Sequence, residues 1–210
     1  MKRQPITFLL TGLIAGLICV GFRFLGSPET AIIGLTWAVG PLFFVATVVG
    51  IAITGGRRYL QLGFMRYLTG FVICTITYIT AVVTFFAVFG FSADWFGFRA
   101  SANVVQFGID VWLGLLASGA VGAVGITVFA SLLTGRWRPS ILLRLVMGGL
   151  LAIGVTFIAN YPFHKVWSFI GALFPIGNAL FCYIAGAYIW QHIQGQRPAT
   201  ATLWSNQRSG

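Results

Sequence analysis

The stretch GLLASGAVGAVG, residues 114–125, contains one hydroxyl, that of Ser118. The stretch lies within an apolar run that extends from 109 to 133. Gly114, Ser118 and Gly122 recur every four residues, which places them on one face of a helix. In lipid, small residues at this spacing let two helix backbones approach closely. The stretch therefore predicts a packed membrane helix in which Ser118 can bond the carbonyl one turn back.

The rest of the chain has the same character. Of its 210 residues, 58% are hydrophobic and only 8% are charged, whereas a soluble domain has about a quarter of its residues charged. A membrane-spanning helix needs about 20 mostly apolar residues, and the ten-residue alternation of a membrane barrel is absent. We therefore predict an all-α polytopic membrane protein with a bundle of six transmembrane helices, at about 6–25, 30–53, 67–91, 109–133, 141–160 and 166–191.

The basic residues indicate the orientation of this bundle. With the N-terminus inside, ten of the thirteen Lys and Arg fall on the inner side, and the three acids fall on the outer side together with Arg23, Arg99 and Lys165. Positive residues concentrate in the cytoplasmic loops of such proteins. We expect both termini in the cytoplasm, a multi-pass domain over residues 1–193 in the cell membrane, and a mobile cytoplasmic tail over 194–210.

The segment ASGAVGAVG also resembles the catalytic fourth span of rhomboid intramembrane proteases, which carry a G-x-S-G motif in a six-span core. That resemblance implies a serine nucleophile at Ser118 with a histidine partner in span 6. However, Leu116 replaces the first glycine of the motif, and His164 precedes span 6 instead of lying within it. Packing is the preferred interpretation of Ser118, and no catalytic residue is assigned.

Two prolines suggest a pocket near the bilayer midplane. Pro41 lies near the middle of span 2 and Pro175 near the middle of span 6, and helices interrupted at this depth often line binding sites. Polar side chains at similar depth complete a candidate ligand-binding set. That set is Pro41, Thr77, Tyr78, Thr80, Pro175 and Asn178.

A second candidate site lies at the outer boundary of the bundle. The polar residues predicted there are Arg23, Asp110, Asn160 and His164. Arg23 and Asp110 can form an ion pair or receive a headgroup or anionic solute, and snorkelling anchors are the alternative. The outer loop, from Phe91 to Gly108, is the longest, and we expect its segment 91–98 to lie along the membrane interface.

Several kinds of chemistry are disfavoured because the spans lack the residues that they need. No Asp, Glu, Lys, Arg or His lies near the middle of a span, although proton-coupled carriers usually need such a relay. Cys19, Cys74 and Cys182 are far apart and form no metal-type pattern. We expect no metal, no cofactor and no nucleic-acid partner. The expected partners are membrane lipids, with a second copy or a membrane subunit docking where a small-residue seam faces outward.

These observations favour a small integral membrane protein that binds or passes a neutral or apolar solute. It would be permease-like or channel-like, or a membrane subunit of a larger complex. The alternative is an intramembrane enzyme that acts on lipid or peptide near the outer leaflet, using Ser118 or the outer polar residues.

Overall fold

Six α-helices make up the part of the chain described in a computed structural model. They are α1 (Gln4–Gly21), α2 (Pro28–Ile53), α3 (Phe64–Phe96), α4 (Ile109–Thr134), α5 (Pro139–Asn160) and α6 (Val166–Gly195). The backbone is described for residues 4–21, 28–54, 64–96, 109–160 and 166–195, and side chains are described for 6–21, 38–54, 64–88, 111–158, 172–173 and 175–192. The prediction of an all-helical protein is confirmed for these residues.

Within the residues whose side chains are described, three helical segments are long and apolar enough to cross a membrane, namely Phe64–Val88, Val111–Thr134 and Pro139–Ile158. Two shorter apolar helical segments, Ile6–Gly21 and Ala38–Ile53, lie within the described side chains. Large apolar side chains cover the outside of the bundle, such as Ile158 at 74% exposed and Leu143 at 65%. Such a surface is stable in hydrocarbon and not in water.

The helices form a closed ring in chain order. Each helix packs against the next, α6 packs against α1, and α6 also contacts α2 and α4. Neighbouring helices are antiparallel: along α3, Gly70 lies close to Phe129, Thr77 to Gly125 and Phe85 to Gly114. The end of α4 and the start of α5 therefore lie at the same end of the bundle as the start of α3 and the end of α6.

A single ring connects three helices at that end. Phe8 of α1 is fully buried, and its ring lies against Gly50 of α2 and Gly186 of α6. Because glycine has no Cβ, these two positions form a recess that the ring fills. Aromatic rings continue the core towards α3 and α4, since Phe44 makes edge-to-face contacts with Phe71 and Phe129.

The connection between α4 and α5 contains a glycine that ends one helix and a proline that begins the next. Gly135 has φ +68° and its N–H donates to the Ser131 carbonyl at 2.8 Å, as in a glycine that caps a helix C-terminus. Pro139 is the first residue of α5, where a missing N–H costs nothing.

The end of α3 differs from the prediction. The third span was expected to end at Phe91 and to continue as an interfacial loop, but the helix continues to Phe96. No proline or glycine interrupts residues 91–96, and the next strong helix breaker is Gly97. The remainder of the predicted outer loop, 97–108, lies outside the described residues.

The two mid-span prolines lie inside continuous helices. Both α2 at Pro41 and α6 at Pro175 keep their helical backbone on either side of the ring. Each proline removes one backbone N–H from the helix, but membrane helices tolerate this when neighbouring groups satisfy the freed carbonyl.

Candidate functional site

A cavity of about 190 Å³ lies between five of the six helices. It is at mid-height in the bundle, because Gly40, Thr77 and Asn178 each lie near the midpoint of their helix. Its wall is mostly apolar, and no charged side chain is among its described lining residues. These are Val39, Gly40, Phe43, Cys74, Thr77, Tyr78, Ala81, Leu115, Ser118, Gly119, Gly122, Ile126, Gly149, Ala152, Ile153, Leu173, Gly177, Asn178 and Phe181.

The small residues of α4 have two different roles. A Cβ on Gly114 would lie 3.0 Å from the Phe85 ring, and one on Gly125 would overlap the Thr77 side chain. These glycines allow α3 and α4 to touch, as predicted from the sequence. A Cβ on Gly119 or Gly122, in contrast, would meet nothing within 4 Å, and both residues line the cavity. The predicted packing seam is therefore only partly correct, since its central part borders space.

Asn178 supplies the most informative polar group in the wall. The residue is 7% exposed, and its amide nitrogen Nδ2 is buried with no hydrogen-bond partner in the part of the chain that the structure describes. Helix α1 packs against α6 at this position, because a Cβ on Gly12 would lie 2.5 Å from the backbone carbonyl oxygen of Asn178. A buried donor without an acceptor costs about 1–3 kcal/mol. An acceptor that came within hydrogen-bond distance of Nδ2 would recover part of that cost.

The structure brings together some of the predicted ligand-binding residues. Thr77, Tyr78 and Asn178 line the same cavity, although they come from α3 and α6. Pro41 and Pro175 do not line it, but their close neighbours Gly40 and Gly177 do. The role of the whole predicted set in binding a ligand stays a prediction.

Thr80 lies elsewhere on α3. Its side chain is exposed on the outside of the bundle and is not part of the cavity wall. Successive helical residues are about 100° apart, so Thr80 is turned about 100° away from Ala81, which faces the cavity. Thr80 therefore does not line this cavity together with Thr77 and Tyr78, and its role in binding a ligand stays a prediction.

The hydroxyl of Ser118 makes the local bond expected of a serine in a membrane helix. Its Oγ donates to the carbonyl of Leu115 at 3.1 Å. A nucleophilic serine needs an adjacent base, and no histidine is among the described residues that line the cavity. His192, near the end of α6, is far from this mid-helix position, and His164 lies outside the described residues.

The outer polar cluster falls largely outside the described residues. Arg23 and His164 lie outside them altogether, while Asp110 and Asn160 are described only as backbone, in the first turn of α4 and at the end of α5. Both helix ends lie at the same end of the bundle. An ion pair between Arg23 and Asp110 stays a prediction.

Sequence reasoning missed the residues that create the volume. Gly119, Gly122 and Gly149 were assigned to packing or left without a role, and Phe43 and Phe181 were not selected. A usable signal was the number of glycines in facing helices, since several small residues at one depth create either a close contact or a space. No family model matches this chain, and no curated protein or solved structure matches it significantly.

Proposed function

We propose that this chain is a small integral membrane protein that binds a neutral, largely apolar solute in a permease-like or channel-like manner. The solute would occupy the cavity that helices α2, α3, α4, α5 and α6 line. The observation that carries the proposal is the Asn178 amide nitrogen, which is buried and has no hydrogen-bond partner among the described residues, at a mostly apolar wall. The solute would place its hydrogen-bond acceptor at this donor. Apolar walls with a few placed polar groups are typical of small-molecule sites.

The size of the cavity limits the solute. An apolar cavity of about 150 Å³ holds a benzene molecule, so a cavity of about 190 Å³ accommodates a six-membered ring with one or two substituents. An ion is disfavoured because no charged side chain is among the described lining residues to compensate its desolvation. A neutral ring compound with a carbonyl or ether oxygen fits both the volume and the donor.

The first experiment compares two probes of nearly equal shape. Cyclohexanone carries an acceptor and methylcyclohexane does not, so the thermal unfolding temperature of the purified protein should rise more with cyclohexanone. Asn178→Leu has a similar volume and no amide, and it should remove the difference between the two probes. Equal stabilisation by both probes in the unmodified protein would contradict the role of Asn178.

A second pair of variants separates binding in the cavity from partition into detergent. Gly122→Leu places a side chain into the space and should abolish the response to both probes. Gly154→Leu is the matched control, since Gly154 is exposed on α5 and a Cβ there would also meet nothing within 4 Å. A response that persists in Gly122→Leu would show that the probes bind elsewhere, and the proposal would be abandoned.

We also propose that all six helices cross the cell membrane with both termini in the cytoplasm. The excess of basic residues on one side supports this orientation. In a cysteine-free variant, Ser140→Cys at the exposed start of α5 should react with a membrane-impermeant thiol reagent only after the cells are opened. Asn103→Cys should react in intact cells. The reverse pattern would overturn the orientation.

A further inference from the structure

The turn between α4 and α5 is fixed by hydrogen bonds although its surface is exposed. The carbonyl of Arg136 accepts from the Tyr188 hydroxyl at 3.0 Å and from the Thr134 hydroxyl at 3.3 Å. The carbonyl of Arg138 accepts from the Ile141 N–H at 3.1 Å. Residues 135–140 are all exposed. The backbone that carries Arg136 and Arg138 is thus held in place, and their side chains lie at the surface.

Positive charge accumulates at this end of the bundle without acidic partners. Arg136, Arg138 and Arg144 are exposed there, and the α5 N-terminus adds the positive end of a helix dipole. The three acids of the chain are Glu29, Asp94 and Asp110. They lie on the first turns of α2 and α4 and near the end of α3, at the opposite end. The basic charge must therefore be matched by anions from outside the described chain.

The surface beside these arginines has the form of a lipid contact. Leu143, Met147 and Leu151 recur every four residues along α5 and are 65%, 57% and 56% exposed. Side chains on a helix point towards its N-terminus, so Arg144 extends back towards the turn and Arg138. The exposed apolar stripe therefore begins at Leu143, next to Arg144 in sequence, and runs along α5 away from the turn that carries Arg138.

We propose that the α4–α5 turn is a binding site for the phosphate of an anionic phospholipid, held by Arg138 and Arg144, with one acyl chain along the Leu143–Met147–Leu151 stripe. The Ser140 hydroxyl, exposed between the two arginines in sequence, is a further donor for the phosphate. Arginine matches phosphate geometry well because its planar fork offers two parallel N–H donors. An anionic headgroup is preferred over a zwitterionic one because the latter brings its own cation into a positive field.

Native mass spectrometry of the full chain, released from detergent with equal amounts of phosphatidylglycerol and phosphatidylcholine, tests the site. We expect phosphatidylglycerol to bind in excess. Arg138→Gln and Arg144→Gln should each lower its association by about fivefold, the effect of one basic residue near a membrane surface. Arg66→Gln is the matched control, because Arg66 is exposed on α3 at the same end of the bundle and should change binding by less than about twofold.

Three outcomes would overturn the proposal. Equal binding of the two lipids would remove the charge preference, and an equal loss in Arg66→Gln would show a diffuse basic surface instead of a site. Displacement of phosphatidylglycerol by millimolar inorganic phosphate would show a free-anion site in which the acyl chain plays no part. Circular dichroism of each variant confirms that it is folded, which the exposure of the three arginines leads us to expect.

Discussion

Gly125 of α4 lies directly against Thr77 of α3, so closely that a Cβ on the glycine would overlap the threonine side chain. Thr77 also lines the cavity. This contact fixes the distance between the two helices and holds a wall residue in position. The absence of a side chain at Gly125 therefore affects both stability and the shape of the cavity.

Gly125→Ala should destabilise the protein by about 1–3 kcal/mol, the usual cost of overpacking. The threonine cannot move aside easily because it is branched at Cβ, and the overlap includes its Cβ. Gly122→Ala, one turn away and facing open space, should change the free energy of unfolding by less than about 1 kcal/mol. Reversible unfolding in detergent measures both, and equal effects would contradict the close contact.

Phe8→Ala should destabilise by about 2–3 kcal/mol. The ring fills a recess between Gly50 and Gly186, and its loss leaves a cavity. The same substitution in the core of a soluble protein costs about 3–5 kcal/mol. We expect a smaller cost here because lipid is as apolar as the core, so little free energy of transfer from water is lost with the ring. Phe64→Ala, at a position 76% exposed, should be nearly neutral. A large loss there would contradict a lipid-facing side chain.

The positions of the helices could be predicted from the sequence because they depend on local properties. The apolar runs, the capping Gly135 and the initiating Pro139 place α4 and α5 within about two residues of their observed ends. The end of α3 was missed because an amphipathic segment without proline or glycine can continue a helix as readily as form an interfacial loop. Local sequence does not distinguish these outcomes.

The candidate site could be predicted only in part because it depends on which helices are neighbours. Asn178 was identifiable as an amide near the middle of an apolar span, and Thr77 and Tyr78 as hydroxyls at the same depth. The angular position of Thr80 relative to the cavity required the packing of α3 against α2 and α4. Gly122 was interpreted as a contact residue because small size alone does not reveal whether a neighbour is present.

Ser118→Ala should leave stability within about 1 kcal/mol of the unmodified protein and preserve the response to cyclohexanone. Among the described residues, the Ser118 hydroxyl bonds only the Leu115 carbonyl of its own helix, at 3.1 Å, and such local bonds contribute little. Thermal unfolding with and without the probe measures both properties. If Ser118→Ala instead abolished a hydrolytic activity of the purified protein, while Ser118→Thr kept the fold, the serine would be a nucleophile and the enzyme alternative would be restored.

His192 should make stability depend on pH. Partial burial lowers the pKa of its ring, and the nearby Arg136 and Arg138 lower the pKa further, while a hydrogen bond to the Thr134 backbone opposes them. Below the ordinary histidine pKa of about 6.5, the unfolded chain therefore binds a proton more readily than the folded protein does. Stability is complete above that pH and is lost as the pH falls towards the lower pKa of the folded state.

The measurement is the difference in Tm between the unmodified protein and His192→Gln, taken from about pH 7.5 to about pH 5.5. Glutamine does not titrate, and it keeps an amide that can replace the hydrogen bond to the Thr134 backbone. The unmodified protein should lose stability relative to the variant as the pH falls, because only its unfolded state gains the proton at position 192. A constant difference would mean that His192 has the same pKa in both states, and a difference of opposite sign would mean that an anion binds the protonated ring at this end of the bundle.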